Sequence, residues 1–541
     1  MRIKKWTIGL VAVGLAAATT LAGCGRADNT SSGNSATPGD TGAGGGAATI
    51  IVGSTDKSTS LDPAGAYDHG SLSLAIQVYS FVYGFAPGGS TPEPDAAEEC
   101  SFTSDTVFEC TLKSGLKFAN GHDLTSSDVK FSFDRTLAIN DANGPASLLA
   151  NLDSVAAPDD QTVQFTLKTA NDQTFEQVLA TSAGPIVDEE VFPADALLPD
   201  NDIVAAKAFS GPYSITSYAA NELVEFTPYA DYKGASPAVV NSGVTLRTYT
   251  DATNLKLAVT NGEIDVAYRS LTPTDIESLQ SDSTVKVWSA KGGEIRYIVF
   301  NMTTMPGDSE AQKLAVRQAI ASSVDRQAIA TNVYKDQYSP LCSYVPDGFV
   351  GANTAVCDAY GTAPDKDKAA KYLADAGVAA PVALNLQYNP DHYGSSSDQE
   401  YGLIKQQLEA TGLFTVNLQS TEWVTYNEER VADAYPLYQL GWFPDYPDAD
   451  NYLQPFFETG NFVGNHFESA EIDQLIQSER TETDSAARTG IIEDIQTQMA
   501  TKYLSTLPLL QGSQWAFSAT TVDGVKLGAD DNLHYATITK S

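Results

Sequence analysis

Ten residues, Gly441–Asp450 (GWFPDYPDAD), place three aromatic rings and three aspartates around two prolines. Three kinds of chemistry could use them. A catalytic pair needs a second carboxylate across a cleft with a substrate between, and nothing in the chain singles one out. A calcium loop wants acids at alternate positions with a glycine at its sharp turn. Acids at 445, 448 and 450 with Pro447 between do not fit. The third is a receptor for a positively charged group: an ammonium loses water on burial, and a fixed carboxylate offsets that cost. Asp445 is the candidate, and its structural alternative is a loop cap of the kind common in Pro/Asp turns. Asp448 and Asp450 read as turn and cap residues ahead of Asn451–Phe457.

The elements around this segment are legible. Pro436–Leu440 (PLYQL) is strand-like, Gly441 permits a close backbone approach, and Pro444 ends regular pairing. An extended peptide could add to such a strand by main-chain hydrogen bonds. From Ile295 onward helices alternate with apolar runs. Ser309–Tyr334 reads as one long helix opening with Ser309-x-x-Gln312. Asp365–Ala376 and Asp398–Thr411 are closed by Gly377 and Gly412 and followed by Val382–Leu386 and Phe414–Leu418. That alternation implies α/β units on a partly parallel sheet. Upstream, Thr49–Gly53 opens the folded part, and Cys100–Leu112 and Val155–Lys168 alternate as strands around a helix at Asp128–Ala138.

With 541 residues, 42% of them apolar, two or three domains are expected. Met1–Lys5 (MRIKK) and the apolar run to Leu21 form an export signal that ends LAGC at Cys24. Residues 24–47 are Gly/Ser/Thr-rich, a flexible tether reaching roughly 25–30 Å. Residues 1–23 hold three basic and no acidic residues, so their removal takes the formal charge from −36 to −39. That excludes a nucleic-acid partner, which needs a basic footprint, and suits cationic ligands. The cysteines beyond Cys24 fall into two close pairs, Cys100/Cys110 and Cys342/Cys357. In an exported chain disulfides are the default; three connectivities are open, and loop closure favours the local one, worth about 2–4 kcal/mol per bridge. A zinc site would want C-x-x-C spacing, and five scattered histidines form no cluster, so no metal and no cofactor is expected. The H-E-x-x-H, G-x-S-x-G and phosphate-loop signatures of enzymes are missing.

Six segments in order then resemble one family, the oligopeptide/dipeptide-binding lipoproteins of ABC importers (solute-binding protein family 5). They are Leu61–Leu72 (LDPAGAYDHGSL), Leu112–Arg135, Gly211–Gly234, Tyr297–Thr304 with Leu314–Arg326, Ala369–Gly377, and GWFPDYPDADNYL itself. The LAGC ending resembles a lipobox, with Cys24 as the lipidated residue. The resemblance implies an α/β fold of the periplasmic-binding-protein type: class II, large three-domain variant, with a hinge between two lobes. Lobe 1 would be a discontinuous domain (48–88, 186–294 and 511–541) carrying an extra domain (89–185); lobe 2 would be 295–510. The chain crossings near Glu294 and Gln511 are the candidate hinges. Carried over residue by residue, Asp445 would hold a peptide ammonium beside Gly441, Trp442 and Phe443; Trp423 would pack on the ligand; and Tyr67, Asp68, His69 and Gly70 would meet it from the other lobe. Arg317, Asp325, Arg326 and Asn301 are assigned to the framework. The segment Leu384–Asp391, where dipeptide-specific relatives place a carboxylate-gripping arginine, has no Arg or Lys, which points to longer peptides. The implied protein is a monomeric, non-enzymatic peptide receptor, lipid-anchored on the extracytoplasmic face of the membrane and delivering to an ABC permease. The alternatives are another solute on the same fold (a sugar, nickel chelate or haem), a sensor without transport, or an exported hydrolase.

Overall fold

The computed structural model describes residues 47–541 apart from Ser270 and Ser395. The export signal, Cys24 and all but the last tether residue lie outside the described residues.

Two long antiparallel strands, Val285–Phe300 and Thr506–Ala519, organise the molecule. Their register shifts between Lys291 and Ile295, at the pair Gly292-Gly293 and Glu294, opposite Gln511–Ser513. On one side of the shift the sheet continues through Val266–Tyr268, Thr49–Ser54, Gly243–Thr248, Leu223–Pro228 and Tyr213–Ala219. On the other it continues through Leu437–Trp442, Val382–Tyr388 and Phe414–Ser420. Pairing is parallel where helices return the chain, as between Val382–Tyr388 and Phe414–Ser420.

The hydrophobic clusters follow the same division. One draws its buried residues from Ile295 to Leu510. A second joins Ile50, Val187 and Phe226 to Ala516 and Ile538. A third, between Val82 and Ile186, covers the sheet of Ala97–Ser104, Val107–Leu112, Thr162–Leu167 and Leu152–Ala156. Tyr446 also joins this third cluster, although it sits in the acidic segment of the other lobe. Cys100 and Cys110 face each other across two antiparallel strands and are bonded, as are Cys342 and Cys357.

Gly377 and Gly412 end their helices at φ 68° and 71°, left-handed positions where a Cβ would strain the backbone. The expected long helix over Ser309–Tyr334 is instead two, Glu310–Ala321 and Arg326–Asn332. The second starts on the Asp325 carboxylate, which accepts from the Ala328 N–H at 2.8 Å. The break turns Arg326 inward, where its Nε donates to the Pro508 carbonyl at 2.9 Å. Tertiary anchoring overrides a pattern that was locally continuous. Arg317 and Asn301 are likewise buried framework residues, Asn301 accepting from the backbone of Thr303 and Thr304.

Candidate functional site

The strand Leu437–Trp442 pairs with Ile295–Phe300, so Gly441 lies opposite Arg296 and the following loop starts at the register shift. Gly441 is required by proximity: a Cβ there would stand 2.9 Å from the Tyr393 ring. Its carbonyl accepts from the Tyr393 and Tyr297 hydroxyls at 3.3 and 3.5 Å. Pro444 then packs over Gly293, and the Tyr452 hydroxyl donates to the Gly293 carbonyl at 2.7 Å. The loop is fastened to the crossing strand.

Asp445 is held from both lobes. Asn451 is the local organiser: its Oδ1 accepts from the Asp445 N–H at 2.9 Å and from Trp442 Nε1 at 3.0 Å, while its Nδ2 donates to Asp445 Oδ2 at 3.1 Å. From the other lobe the Tyr67 hydroxyl donates to Asp445 Oδ1. No described Lys, Arg or His forms an ion pair with this carboxylate. Burial therefore raises its pKa, and the Tyr67 and Asn451 hydrogen bonds only partly oppose the rise. A desolvated carboxylate with neutral partners only is poised for a cation.

The other expected contact residues divide. Phe443 is 46% exposed and lines a cavity of about 540 Å³ between the lobes. Trp442 turns the other way, edge-on to Phe456 and Phe462. Trp423 is stacked on His392, ring centroids 3.7 Å apart, and it is His392 that faces the cavity. Of the four residues after the LDP motif, only Tyr67 reaches Asp445. Asp68 caps the helix His69–Val78, accepting from the Ser71 N–H at 2.8 Å. His69 is engaged with the Asp531 carbonyl at 2.9 Å and with Asp56 at 3.4 Å. Gly70 is buried where a Cβ would stand 2.1 Å from the Lys57 carbonyl oxygen. Asn451 was not singled out by sequence reasoning. Its only signal is a buried amide six residues past Asp445, which needs the fold to be seen.

Asp448 and Asp450 lie behind the site. Asp448 Oδ1 accepts from the Asp450 N–H at 2.9 Å, a turn role, and the same carboxylate takes Arg488 at 2.7 and 3.0 Å. Asp450 is not a cap. It is buried in the first turn of Asp450–Phe457, accepts from the Tyr446 hydroxyl at 3.1 Å, and has Arg480 at 3.7 Å. Among the described residues no group of three or more His, Cys, Asp or Glu is arranged to hold a metal, and no helix is long and apolar enough to cross a membrane.

A cleft between two lobes, with an unpaired carboxylate on one wall and a cavity at the crossing strands, defines a solute-binding protein. Residues 91–464 match the family Bacterial extracellular solute-binding proteins, family 5 Middle, and the chain belongs to that family. Members of this family are extracellular solute-binding proteins, so the chain is a binding protein rather than an enzyme. It is 24% identical over 454 residues to the Probable D,D-dipeptide-binding periplasmic protein DdpA of Escherichia coli, covering 81% of this chain and 84% of that one. It is 25% identical over 480 residues to Di/tripeptide-binding protein 1 of Pseudomonas aeruginosa, covering 83% and 86%. Among solved structures, HbpA2 from Haemophilus parasuis superposes with a TM-score of 0.79 at 20% identity, over 91% of this chain and 100% of the other. The two-lobed α/β fold is the one expected.

Proposed function

We propose that this chain captures peptides by their free α-ammonium on Asp445 and delivers them to the membrane permease of an ABC importer. The observation that supports this most is the Asp445 carboxylate itself, half-buried between the lobes, fixed by Asn451 and Tyr67, and unmatched by any described cation. An arriving ammonium would replace the Tyr67 hydroxyl on Oδ1 with a charge-assisted hydrogen bond. Trp442–Phe443 would supply backbone pairing, Phe443 the first side-chain contact, and His392, backed by Trp423, an aromatic wall. Tyr67 would report closure, since it joins Asp445 only when the lobes meet. The lobes would be 48–88 with 186–294 and 511–541, bearing 89–185, and 295–510. They would rotate about the register shift at Gly292–Glu294 and about Gln511. Cys24 would carry the lipid, and residues 25–47 would let a monomeric receptor reorient beside the membrane.

Calorimetric titration with three- to six-residue peptides, and with the same peptides N-acetylated, tests this. Binding only with free amino termini is the expected result. Equal binding of both sets overturns the ammonium contact, and no binding by either set overturns peptides as the solute.

A further inference from the structure

A peptide oriented by its ammonium at Asp445 carries its other terminal charge as a carboxylate, and that charge needs a place. Phe443, two residues before Asp445, lines the cavity of about 540 Å³, which extends to Gly292, Glu294 and Gly512 at the crossing strands. A sphere of that volume is about 10 Å across, the span of about three extended residues at ~3.3–3.6 Å each. Two arginines line it, Arg269 on the lobe-1 wall and Arg296 opposite, in a chain where acidic residues outnumber basic ones 68 to 32.

The two are not equivalent. Arg296 is committed: Nη2 meets Glu294 at 2.8 Å, and the guanidinium lies 5.6 and 5.2 Å from the ring centres of Tyr338 and Tyr393. Arg269 has one ion pair with a described residue, Nε to Asp56 at 3.4 Å, with Asp531 and Glu294 as further acidic neighbours, and Asp56 is shared with His69 at the same distance. It makes no hydrogen bond to another described residue, and its side chain keeps 27% of its surface exposed. It follows the strand Val266–Tyr268 at φ 63°, a left-handed conformation uncommon for a residue with a Cβ. The neighbouring Asp531 carboxyl weakens this cation only in part, because burial pushes its pKa up to about 7. The segment Leu384–Asp391 itself offers the cavity Asp391 and no cation.

We propose that Arg269 is the receptor for the C-terminal carboxylate of a peptide of two to four residues, with the Asp445 and Arg269 sites gripping its two ends. This rests on the ammonium reading for the direction of the peptide. It also reverses the expectation of longer ligands: the missing arginine near Leu384–Asp391 is replaced from the other lobe. A clamp of this kind spans the lobes, because Asp445 belongs to one and Arg269 to the other.

The test titrates the full chain and its Arg269→Gln variant with tripeptides bearing free or amidated C-termini, with N-acetylated and six-residue peptides alongside. In the unaltered protein amidation is expected to weaken binding at least tenfold, and six-residue peptides to bind more weakly than tripeptides. Arg269→Gln should bind free and amidated tripeptides within threefold of each other while still rejecting N-acetylated ones. That retained rejection shows that the variant is folded with its ammonium site intact. Equal affinity for free and amidated tripeptides in the unaltered protein overturns the carboxylate site and leaves the ammonium reading standing. A full amidation penalty persisting in Arg269→Gln moves the site away from Arg269 and overturns the assignment. Indifference to N-acetylation with sensitivity to amidation overturns the ammonium reading and keeps the carboxylate site. Absence of binding by every peptide overturns both.

Discussion

The acidic loop has two halves that share composition and differ in company. Asp445 is half-buried in the cleft with an amide and a phenol for partners. Three and five residues on, Asp448 and Asp450 are buried with Arg488 and Arg480. Arg488 also reaches Glu479 at 2.9 Å, and burial beside Asp450 pushes the Glu479 carboxyl well above its usual range. The second half is a closed account of charge that fixes the loop. The first is left one cation short. On the proposed reading, an acid cluster becomes a binding site where the fold supplies geometry without the counter-charge, and framework where it supplies both.

The largest expected effect lies in the paired half. Arg488→Ala strands Asp448 and Glu479, and loss of one partner of a buried pair costs about 3–5 kcal/mol. Denaturant titration should show the loss in the second lobe; an unchanged midpoint would put Asp448 and Asp445 in the same class. Next is Asp445→Ala, which should weaken peptide binding by about 2–4 kcal/mol, roughly 30- to 1000-fold, without lowering the stability of the empty protein. Affinity within threefold of the unaltered protein would remove Asp445 from the site. Asn451→Ala sits between the halves, holding Asp445 without touching ligand. It should weaken binding by about 1–2 kcal/mol and leave selectivity against N-acetylated peptides in place; loss of that selectivity would make Asn451 a contact residue.

Arg480→Gln sharpens the comparison from outside the cleft. Arg480 accepts the Gln173 N–H on its carbonyl at 2.8 Å and approaches Asp172 at 3.9 Å, so it links the second lobe to the extra domain. The substitution keeps the backbone bond and removes the Asp172 contact, which should favour opening and weaken all peptides alike by about 0.5–1 kcal/mol. The smallest effect is the pH response of the empty protein. The folded pKa of Asp445 is raised, so its contribution to stability is fully present below the unfolded pKa and is lost as pH rises through the folded one. Asp445→Asn should therefore melt slightly higher than the unaltered protein at neutral pH and show no such difference in acid. Peptide affinity should fall on acidification sooner than an ordinary carboxylate would dictate, because the ionised form is the one that binds.

Much of this was readable residue by residue. Gly377 and Gly412 end helices because left-handed φ is a local demand, and Ser309 caps because its hydroxyl reaches the Gln312 N–H at 3.3 Å in any context. The cysteine pairing followed from short loops. What failed was whatever depended on distant partners. Asp450 looked like a cap and is a buried acid, because Tyr446 and Arg480 come to it from elements formed independently of it. The long helix over Ser309–Tyr334 breaks where Arg326 must reach the second crossing strand.

The sequence by itself determined the class of protein, the alternation of helices and strands in the second lobe, and the acidic segment that faces the cleft. These rest on local propensity, spacing and motif, which act within a few residues. The tertiary structure decided which of three aspartates is left without a described cation, that Asn451 and Tyr67 hold it, and that two arginines from separate parts of the chain line the cavity beside Phe443. Those are matters of charge and desolvation between groups far apart in sequence, and only the folded chain sets the distances on which such energies depend.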